Sequence, residues 1–237
     1  MPDRQGFLER IAEPFASLHR DGRKFVAIGA AATFVLWLVW SPLGWLAALV
    51  TLWVAWFFRD PERVTPLRDG LVIAPADGVI IDIDEVAPPL ELGLSGETRT
   101  RIAIHLSLMD VHVNRAPVSG RIAVSAYVPG AFAAPTSDKA SEDNERRSLV
   151  IETAAGDEFI VVQIAGTVLR RIVTFAGEGD TVTAGQRFGL IRFGSRVDLY
   201  LPAGRKALVA VGQRTVAGET VIADLKSDEG EREARRS

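Results

Sequence analysis

Apolar residues are concentrated in one long block near the start of the chain, and shorter alternating runs follow it. From Phe25 to Phe58 the sequence is almost wholly apolar and carries no charged side chain. A single membrane-spanning helix needs about 20 apolar residues, and this block is longer. Ser41, Pro42 and Gly44 interrupt it near its middle, where proline removes a backbone donor and its neighbours favour a turn. The pattern predicts two short helices joined by a tight turn.

The residues around this block favour a membrane hairpin. Basic side chains stand before and after it, which places both ends in the cytoplasm by the positive-inside rule. Each half is marginal for a full crossing, so a thin spanning hairpin and a re-entrant wedge both stay open. A signal peptide is disfavoured because about 24 residues, acidic ones among them, precede the block. A buried pair of core helices is the other alternative. The flanking basic residues are Arg20, Arg23, Lys24, Arg59 and Arg63, and tryptophans suited to interfacial depth stand at 37, 40, 45, 53 and 56.

After Arg59 the pattern changes to short alternating apolar runs separated by Gly, Pro and Asp, which is typical of strands. The spacing predicts a mainly β (α+β) fold with a barrel-sandwich-like β domain behind an N-terminal helical membrane hairpin. The expected strands are Leu71–Ala74, Val79–Ile83, Thr100–His105, Arg121–Val128, Ser148–Thr153, Glu158–Ala165, Ile172–Phe175, Arg187–Arg192, Arg196–Leu201 and Ala207–Val211.

These patterns divide the chain into four parts. Residues 1–24 form a cytoplasmic N-terminal segment, and residues 25–58 form the membrane-associated helical hairpin. Residues 59–225 form the β-rich domain. Residues 226–237 mix charges of both signs without apolar residues, which predicts a disordered tail.

The segment Gly177–Phe188 is predicted to form a turn, a short strand and a second turn. A similar pattern occurs in the barrel-sandwich folds of biotinyl and lipoyl carrier domains. Those domains carry their cofactor on a lysine in a hairpin, and this segment contains no lysine. The segment therefore supports a β-sandwich and does not indicate a carrier function.

The amino-acid composition argues against several kinds of functional site. The chain has no cysteine, which excludes disulfides, thiolate zinc sites and cysteine nucleophiles. Its three histidines leave little room for a metal centre, and we expect no metal. The formal net charge of -3 argues against a broad nucleic-acid-binding surface. Hydrophobic residues make up 48% of the chain, and this excess lies mostly in the apolar block.

Three places carry polar residues that could do chemistry. Gly194 and Ser195 lie between two predicted strands, and Asp77 follows a proline in Ala74–Gly78. His112 lies in the polar and apolar stretch that follows the Thr100–His105 strand. Taken singly, each has a plain structural interpretation: two turns and a histidine that serves as a hydrogen-bond partner.

Taken together, five stretches in order resemble the phosphatidylserine decarboxylase family, in its short bacterial and archaeal form. The resemblance runs from about Phe57 to Pro202, and the pair of N-terminal helices is also similar to the family. The five stretches are Phe57–Arg63, Ala74–Gly78, Asp110–Pro117, Asn144–Arg147 and Phe193–Arg196.

The resemblance implies a self-processing enzyme. In this family the chain cuts itself at a Gly-Ser bond, here Gly194–Ser195, and the serine becomes a covalent pyruvoyl group that serves as the cofactor. Carried onto this chain, Ser195 is the nucleophile and His112 its base, while Asp77 holds the other ring nitrogen of His112. The implied reaction converts phosphatidylserine to phosphatidylethanolamine and CO2, with the pyruvoyl carbonyl as electron sink.

The resemblance also implies partners and a location. The products 1–194 (β chain) and 195–237 (α chain) are expected to stay together as a heterodimer, and the sequence leaves further oligomerisation open. The substrate is a membrane lipid, which places the enzyme on the cytoplasmic face of the cell (inner) membrane. Arg115 and Arg196 are candidates to bind the lipid phosphate. Arg115 also stands where longer family members carry a second histidine. No role is assigned to Asn144–Arg147.

Two functions from other classes compete with this interpretation. A non-catalytic, membrane-anchored β-sandwich adaptor explains the hairpin and the strands, but not the combination of Asp77, His112 and Gly194–Ser195. A serine hydrolase could use the same residues, but Ser195 lacks the Gly-x-Ser-x-Gly elbow that exposes a nucleophile. Self-cleavage separates these possibilities.

Overall fold

The computed structural model describes residues 18–94, 96–130, 144–166, 171–192, 195–227 and 229, with the side chain of Ser195 left out. The predicted segment 1–17, the cleavage-site residue Gly194 and most of the predicted tail lie outside the described residues. The chain forms two compact units, Met1–Glu62 and Arg63–Ser237.

The N-terminal unit is a helical hairpin. Helix α1 spans Arg20–Val39 and helix α2 spans Ser41–Phe57, with the extended residue Trp40 between them. Pro42 stands in the first turn of α2, where its missing N–H costs nothing. The ends of the hairpin meet, because the His19 amide donates to the Phe58 carbonyl at 2.9 Å. The helical break predicted at residues 41–44 is therefore confirmed, with α1 beginning five residues earlier than expected.

Small side chains let the two helices approach. A Cβ added at Gly29 would lie 2.7 Å from Thr51 Oγ1, and one at Gly44 would lie 2.7 Å from the Trp37 Cα. Large apolar side chains instead cover the outside of the hairpin, including Phe34, Leu38 and Leu49. With 20 residues, α1 is about 30 Å long and apolar enough to cross a bilayer, whereas the 17-residue α2 is shorter.

The C-terminal unit is built from strands. Within its described residues the only helical element is a 3-10 turn at Leu90–Leu92. The strands are β1 Leu71–Ile73, β2 Gly78–Val86, β3 Arg99–Leu106, β4 Val113–Arg115, β5 Gly120–Val128, β6 Arg146–Glu152, β7 Glu158–Ala165, β8 Ile172–Thr174, β9 Thr181–Val182, β10 Arg187–Ile191, β11 Ser195–Tyr200, β12 Arg214–Thr215 and β13 Val221–Asp224.

These strands form one large sheet and two small ones. The large sheet has the order β12-β2-β3-β11-β7-β6-β5-β9, and the small sheets have the orders β4-β10-β8 and β1-β13. Every pairing is antiparallel. Strand β11 lies near the centre of the large sheet, between β3 and β7.

Alternate residues of the large sheet face two different apolar clusters, as the period of a strand requires. On β3, Ile102, Ile104 and Leu106 enter the main core, which also takes in Phe188 and Ile191 of the small β4-β10-β8 sheet. We call this the inner face. The opposite, outer face of the large sheet carries a second cluster that includes Ile160, Val162 and Tyr200 with Leu92 of the 3-10 turn.

The prediction of a mainly β domain behind a helical hairpin is confirmed, and nine of the ten expected runs contain strands. The predicted strand Ala207–Val211 is wrong. This run is apolar because Ala207, Leu208 and Val209 are buried, but it forms an irregular segment that ends at the turn Ala210–Gln213. The turn-strand-turn pattern at Gly177–Phe188 is confirmed, with β9 as its short strand.

Candidate active site

Asp77 lies in the short loop between β1 and β2, and two partners hold its carboxylate. Oδ2 accepts a hydrogen bond from Arg63 Nη2 at 2.7 Å, and Oδ1 accepts one from the Ala217 amide at 2.7 Å. Burial raises the pKa of Asp77 above its usual value, although the Arg63 charge and the Ala217 hydrogen bond oppose the shift. Asp77 is thus a partly buried carboxyl group whose proton affinity exceeds that of an exposed aspartate.

His112 lies just before β4 and is fully buried. Its Nδ1 donates a hydrogen bond to the backbone carbonyl oxygen of Asp110 at 2.9 Å. Because a carbonyl oxygen only accepts, Nδ1 carries the proton, and in the neutral ring Nε2 carries the lone pair. The structure therefore corrects the prediction that Asp77 holds this ring. A backbone oxygen does so instead, and Asp77 bonds Arg63 and Ala217.

Asp110 organises the loop that carries His112. Its Oδ2 accepts hydrogen bonds from the Ser107 amide at 2.9 Å and the Ser107 hydroxyl at 2.7 Å, and Oδ1 is paired with Arg214. Burial tends to raise the pKa of Asp110, but the Ser107 hydrogen bonds and the Arg214 charge together hold it below its usual value. Asp110 is therefore ionised at neutral pH and fixes a tight turn two residues before the histidine.

Strand register brings this loop to the predicted cleavage point. Ser195 begins β11 and pairs with Leu106 on one side and Ala165 on the other. The Ile191 amide donates to the His112 carbonyl at 3.2 Å. The loop 107–112 therefore starts opposite Ser195 and ends opposite Ile191, and these two residues stand on either side of residue 194 in the sequence, next to the predicted Gly194–Ser195 bond.

Asp77 belongs to the same end of the sheet. Strand β2 begins at Gly78, and Val79 pairs with His105, the neighbour of Leu106. A Cβ at Gly78 would lie 2.2 Å from the His105 carbonyl oxygen, so only glycine allows this close approach. The Arg115 amide also donates to the Pro75 carbonyl at 2.9 Å, which ties the loop before β2 to β4.

The two candidate phosphate-binding arginines are both buried. Arg196 is 2% exposed and points to the outer face, where its Nε and Nη2 bond the buried Asp198 at 2.6 and 3.1 Å. Arg115 donates from Nη1 to the Gly185 carbonyl at 3.0 Å. A direct contact with a lipid phosphate does not fit the placement of Arg196, and Arg115 has a structural bond in the fold.

Comparison with known proteins settles the family. The sequence profile described as phosphatidylserine decarboxylase matches residues 50–223. A "Phosphatidylserine decarboxylase proenzyme" of Ruegeria pomeroyi is 56% identical over 209 residues, which cover 88% of this chain and 95% of that protein. The chain belongs to the phosphatidylserine decarboxylase family. A protein of the same name from Cereibacter sphaeroides is 52% identical over 215 residues, covering 91% of this chain and 93% of its own. The resemblance inferred from five short stretches is thereby confirmed.

One family stretch, Asn144–Arg147, supports the strand beside Ser195. The buried Asn144 donates from Nδ2 to the Ala165 carbonyl at 3.1 Å, and the Ala165 amide donates to the Glu145 carbonyl at 2.9 Å. Arg146 is anchored by Glu91 at 2.7 Å. Because Ala165 pairs with Ser195, these bonds hold the backbone against which Ser195 is aligned.

A buried amide pair also lies close to this end of the core. Gln163 Nε2 donates to Asn114 Oδ1 at 2.7 Å, and both side chains are fully buried. Among the described residues, Gln163 Oε1 and Asn114 Nδ2 have no hydrogen-bond partner. Gln163 pairs with Val197, two residues from position 195, and Asn114 follows His112 by two. The core therefore offers one acceptor and one donor near position 195, which fits a small polar group there.

Sequence reasoning missed three members of the site: Arg63, Asp110 and Arg214. Arg63 and Asp110 are the last and first residues of two of the recognised stretches, so the motifs contained a signal for them. Arg214 lies beyond all five stretches and reaches the site because β12 pairs with β2.

A cavity of about 640 Å3 in the C-terminal unit lies away from these residues. It is lined by Thr153, Asp157 and Phe159 at the β6–β7 turn. Strand β7 runs from this turn to Ala165, so about 24 Å separates the cavity from the Ser195 end of the sheet. The described residues contain no cluster of three or more histidine and acidic side chains that could hold a metal.

Proposed function

We propose that this chain decarboxylates phosphatidylserine to phosphatidylethanolamine and CO2, after cutting itself between Gly194 and Ser195. The observation that carries the proposal is the register that sets His112 opposite Ile191 and Ser195 opposite Leu106, in a member of this family. This register brings the loop that carries the buried imidazole alongside Ile191 at one end and Ser195 at the other.

Self-cleavage needs a base, because a serine hydroxyl is a weak nucleophile. His112 Nε2 takes the proton as Ser195 Oγ adds to the Gly194 carbonyl carbon. The peptide C–N bond then breaks, its nitrogen leaves protonated, and an ester joins Gly194 to Ser195 Oγ. Loss of the Ser195 α-proton and cleavage of the Cβ–O bond release Gly194 as a carboxylate. Water replaces the remaining amine nitrogen, which leaves as ammonia, and residue 195 becomes the pyruvoyl group.

Support for His112 as the base comes from its fixed tautomer. The Nδ1 proton is committed to the Asp110 carbonyl, so Nε2 is the basic atom, and no rotation or tautomer change is needed before reaction. Asp77 acts on this arrangement as a positioning residue. Through Arg63 and the Ala217 amide it fixes the loop that enters β2.

The buried amides and the imidazole are the residues suited to a pyruvoyl group at position 195. That group supplies a carbonyl that withdraws electrons from the bond to the departing CO2. Asn114 Nδ2 can donate a hydrogen bond and Gln163 Oε1 can accept one, so together they can orient polar atoms near position 195. His112 returns a proton to the substrate carbon after CO2 leaves.

The proposed location is the cytoplasmic face of the cell membrane. The N-terminal unit supplies a helix apolar enough to cross a bilayer, its hairpin ends meet on one side, and basic residues flank both ends. The two products of cleavage, 1–194 and 195–237, stay together as a heterodimer because β11 keeps its hydrogen bonds to β3 and β7.

Intact-mass measurement under denaturing conditions tests the proposal. At the mean residue mass of this 25.7 kDa chain, the fragment 195–237 should weigh about 4.7 kDa. With a pyruvoyl terminus it should be about 17 Da lighter than the same peptide with a free serine, since ammonia has left. The variant Ser195→Ala should stay uncut and inactive. A folded wild-type chain that stays at 25.7 kDa and releases no CO2 from phosphatidylserine would refute the proposal.

A further inference from the structure

We propose that Leu108 and Met109 form an apolar wedge that enters the surface of an anionic lipid bilayer and sets the depth of the active site there. The inference rests on the proposed function, since it specifies how a membrane lipid meets His112. Both residues occupy the tip of the turn Ser107–Asp110, the first part of the loop that carries the histidine.

The tip is apolar where turns are usually polar. The central positions of tight turns favour Gly, Pro, Asn, Asp and Ser, whereas this turn presents Leu108 and Met109 side by side. Leu108 is 46% exposed and Met109 is 58% exposed. Adjacent large apolar side chains held out in water mark a contact surface more often than a lone one does.

The turn beneath the wedge is held firmly. The Asp110 amide donates to the Ser107 carbonyl at 3.0 Å, and the Asp110 carboxylate accepts from both the amide and the hydroxyl of Ser107. The Met109 amide donates to Ser107 Oγ at 3.3 Å. A turn held by these hydrogen bonds can insert into the bilayer while the rest of the loop, which carries His112, keeps its position.

The short chain separation keeps the wedge and His112 within a distance comparable to the thickness of a lipid head-group layer. Two residues lie between Met109 and His112, so their Cα atoms are three steps along the chain and at most about 11 Å apart. Each head-group layer of a bilayer is about 5–8 Å thick. If Met109 rests at the boundary of the acyl chains, the His112 Cα lies no more than about 11 Å from that boundary, within reach of the head-group layer that holds the serine amine and carboxylate.

Charge around the tip favours an anionic surface. Arg214 is bound to Asp110 in this same loop, yet 66% of its side chain is exposed. Phosphatidylserine carries a net negative charge, so this arginine can approach its phosphate and carboxylate groups.

The size of the apolar tip favours lipid over a protein partner. A specific protein interface usually buries more than about 1,000 Å2, which two half-exposed side chains do not provide. Insertion into the membrane interface needs much less buried area, because each apolar side chain that leaves water contributes a favourable free energy of transfer.

The absence of cysteine gives a direct test. A single thiol introduced by Met109→Cys is labelled with an environment-sensitive fluorophore, and the full chain is reconstituted in phosphatidylcholine bilayers with phosphatidylserine. Leu90→Cys is the matched control, because Leu90 is 95% exposed and lies on the 3-10 turn, which packs against the outer face of the large sheet. We expect a lipid-borne quencher to reach the Met109 label, and aqueous iodide to reach the Leu90 label. Quenching of both labels by iodide alone would overturn the proposal, and so would a Met109 label shielded from both quenchers, which indicates a protein contact.

A second measurement separates docking from chemistry. For the double variant L108S/M109S, the ratio of kcat/KM on bilayer phosphatidylserine to kcat/KM on soluble short-chain phosphatidylserine should fall about tenfold. The ratio should stay within about twofold of the wild type for Leu90→Ser. An unchanged ratio in L108S/M109S would refute the proposed role of Leu108 and Met109 in membrane docking. A wild-type chain inactive on both substrates would instead refute the proposed function, whatever the labels report.

Discussion

The imidazole of His112 is held by the backbone of Asp110, across 2.9 Å between Nδ1 and the carbonyl oxygen. A carboxylate partner would stabilise the charged imidazolium, whereas a carbonyl oxygen mainly fixes the tautomer and the ring orientation. The Asp110 carbonyl keeps the proton on Nδ1 and so leaves Nε2 as the basic atom. Because it belongs to the backbone, no side-chain substitution removes it.

Replacement of His112 by glutamine should slow self-cleavage by at least about a hundredfold, the usual contribution of a general base. Glutamine keeps a polar group of similar size but cannot take up the proton. His105→Gln is the control, because His105 lies on β3 with its side chain toward the outer face. Intact mass after expression measures both variants. Complete cleavage of His112→Gln would refute the assignment of the base.

Asp110→Asn should destabilise the protein by about 1–2 kcal/mol at pH 7, because asparagine has no negative charge and only one acceptor oxygen, so it cannot accept from both Ser107 and Arg214. The folded-state pKa of Asp110 is lowered, so its stabilising contribution is present above the unfolded value of 3.8 and is lost as pH falls through the folded pKa. The difference between wild type and variant should therefore shrink below about pH 4.

Thermal unfolding followed by far-ultraviolet circular dichroism checks this, on a Ser195→Ala background that keeps all chains uncut. Tryptophan fluorescence is unsuitable, since all five tryptophans lie between residues 37 and 56, in the hairpin. A difference that is constant from pH 3 to pH 7 would contradict the lowered pKa of Asp110.

Gly78→Ala should cost more than about 3 kcal/mol or prevent folding, because its Cβ would overlap the His105 carbonyl oxygen at the β2–β3 pairing. Gly96→Ala is the matched control. A Cβ at Gly96 meets no atom within 4 Å, so the change should stay within about 0.5 kcal/mol. Soluble yield, thermal midpoint and extent of cleavage compare the two. Equal behaviour would show that β2 can shift away from β3.

Arg196 and Asp198 should behave as a coupled pair. Either single change, Arg196→Met or Asp198→Leu, removes the short ion pair of a buried charge and should cost about 3–5 kcal/mol, although Asp198 keeps Arg101 at 4.0 Å. The double variant R196M/D198L removes both charges and should be more stable than the sum of the single losses implies. Thermal midpoints of the four chains, again on the Ser195→Ala background, complete the cycle. Strict additivity would mean that the two side chains do not depend on each other.

The sequence predicted those parts of the fold that depend on local pattern. Pro42 ends one helix and begins the next, and the alternating runs around Ile104 and Val161 form central strands. Ala207–Val211 was mispredicted because a short apolar run can be buried without a partner strand. The two-residue strand β12 lies below the length at which alternation can be recognised.

The sequence named the residues of the proposed site but not their contacts. Asp77 and Ser195 stand at one end of the large sheet, and the loop that carries His112 starts at the same end. The Asp110 carbonyl has no side-chain signature, so its bond to His112 could not be predicted from residue types. The burial of Arg196 did have a signal, because Asp198 stands two residues later on the same face of β11.

The central position of β11 has a consequence for how the cut protein loses activity on heating. Once the chain is cut at the proposed bond, β11 is the first strand of a separate peptide, clamped between β3 and β7 of the other product. If that peptide escapes on heating, the precursor cannot be rebuilt, since the peptide bond and the serine are both gone. Working lifetime should then be set by the rate of strand release and not by an equilibrium free energy, so inactivation temperatures should rise with the heating rate.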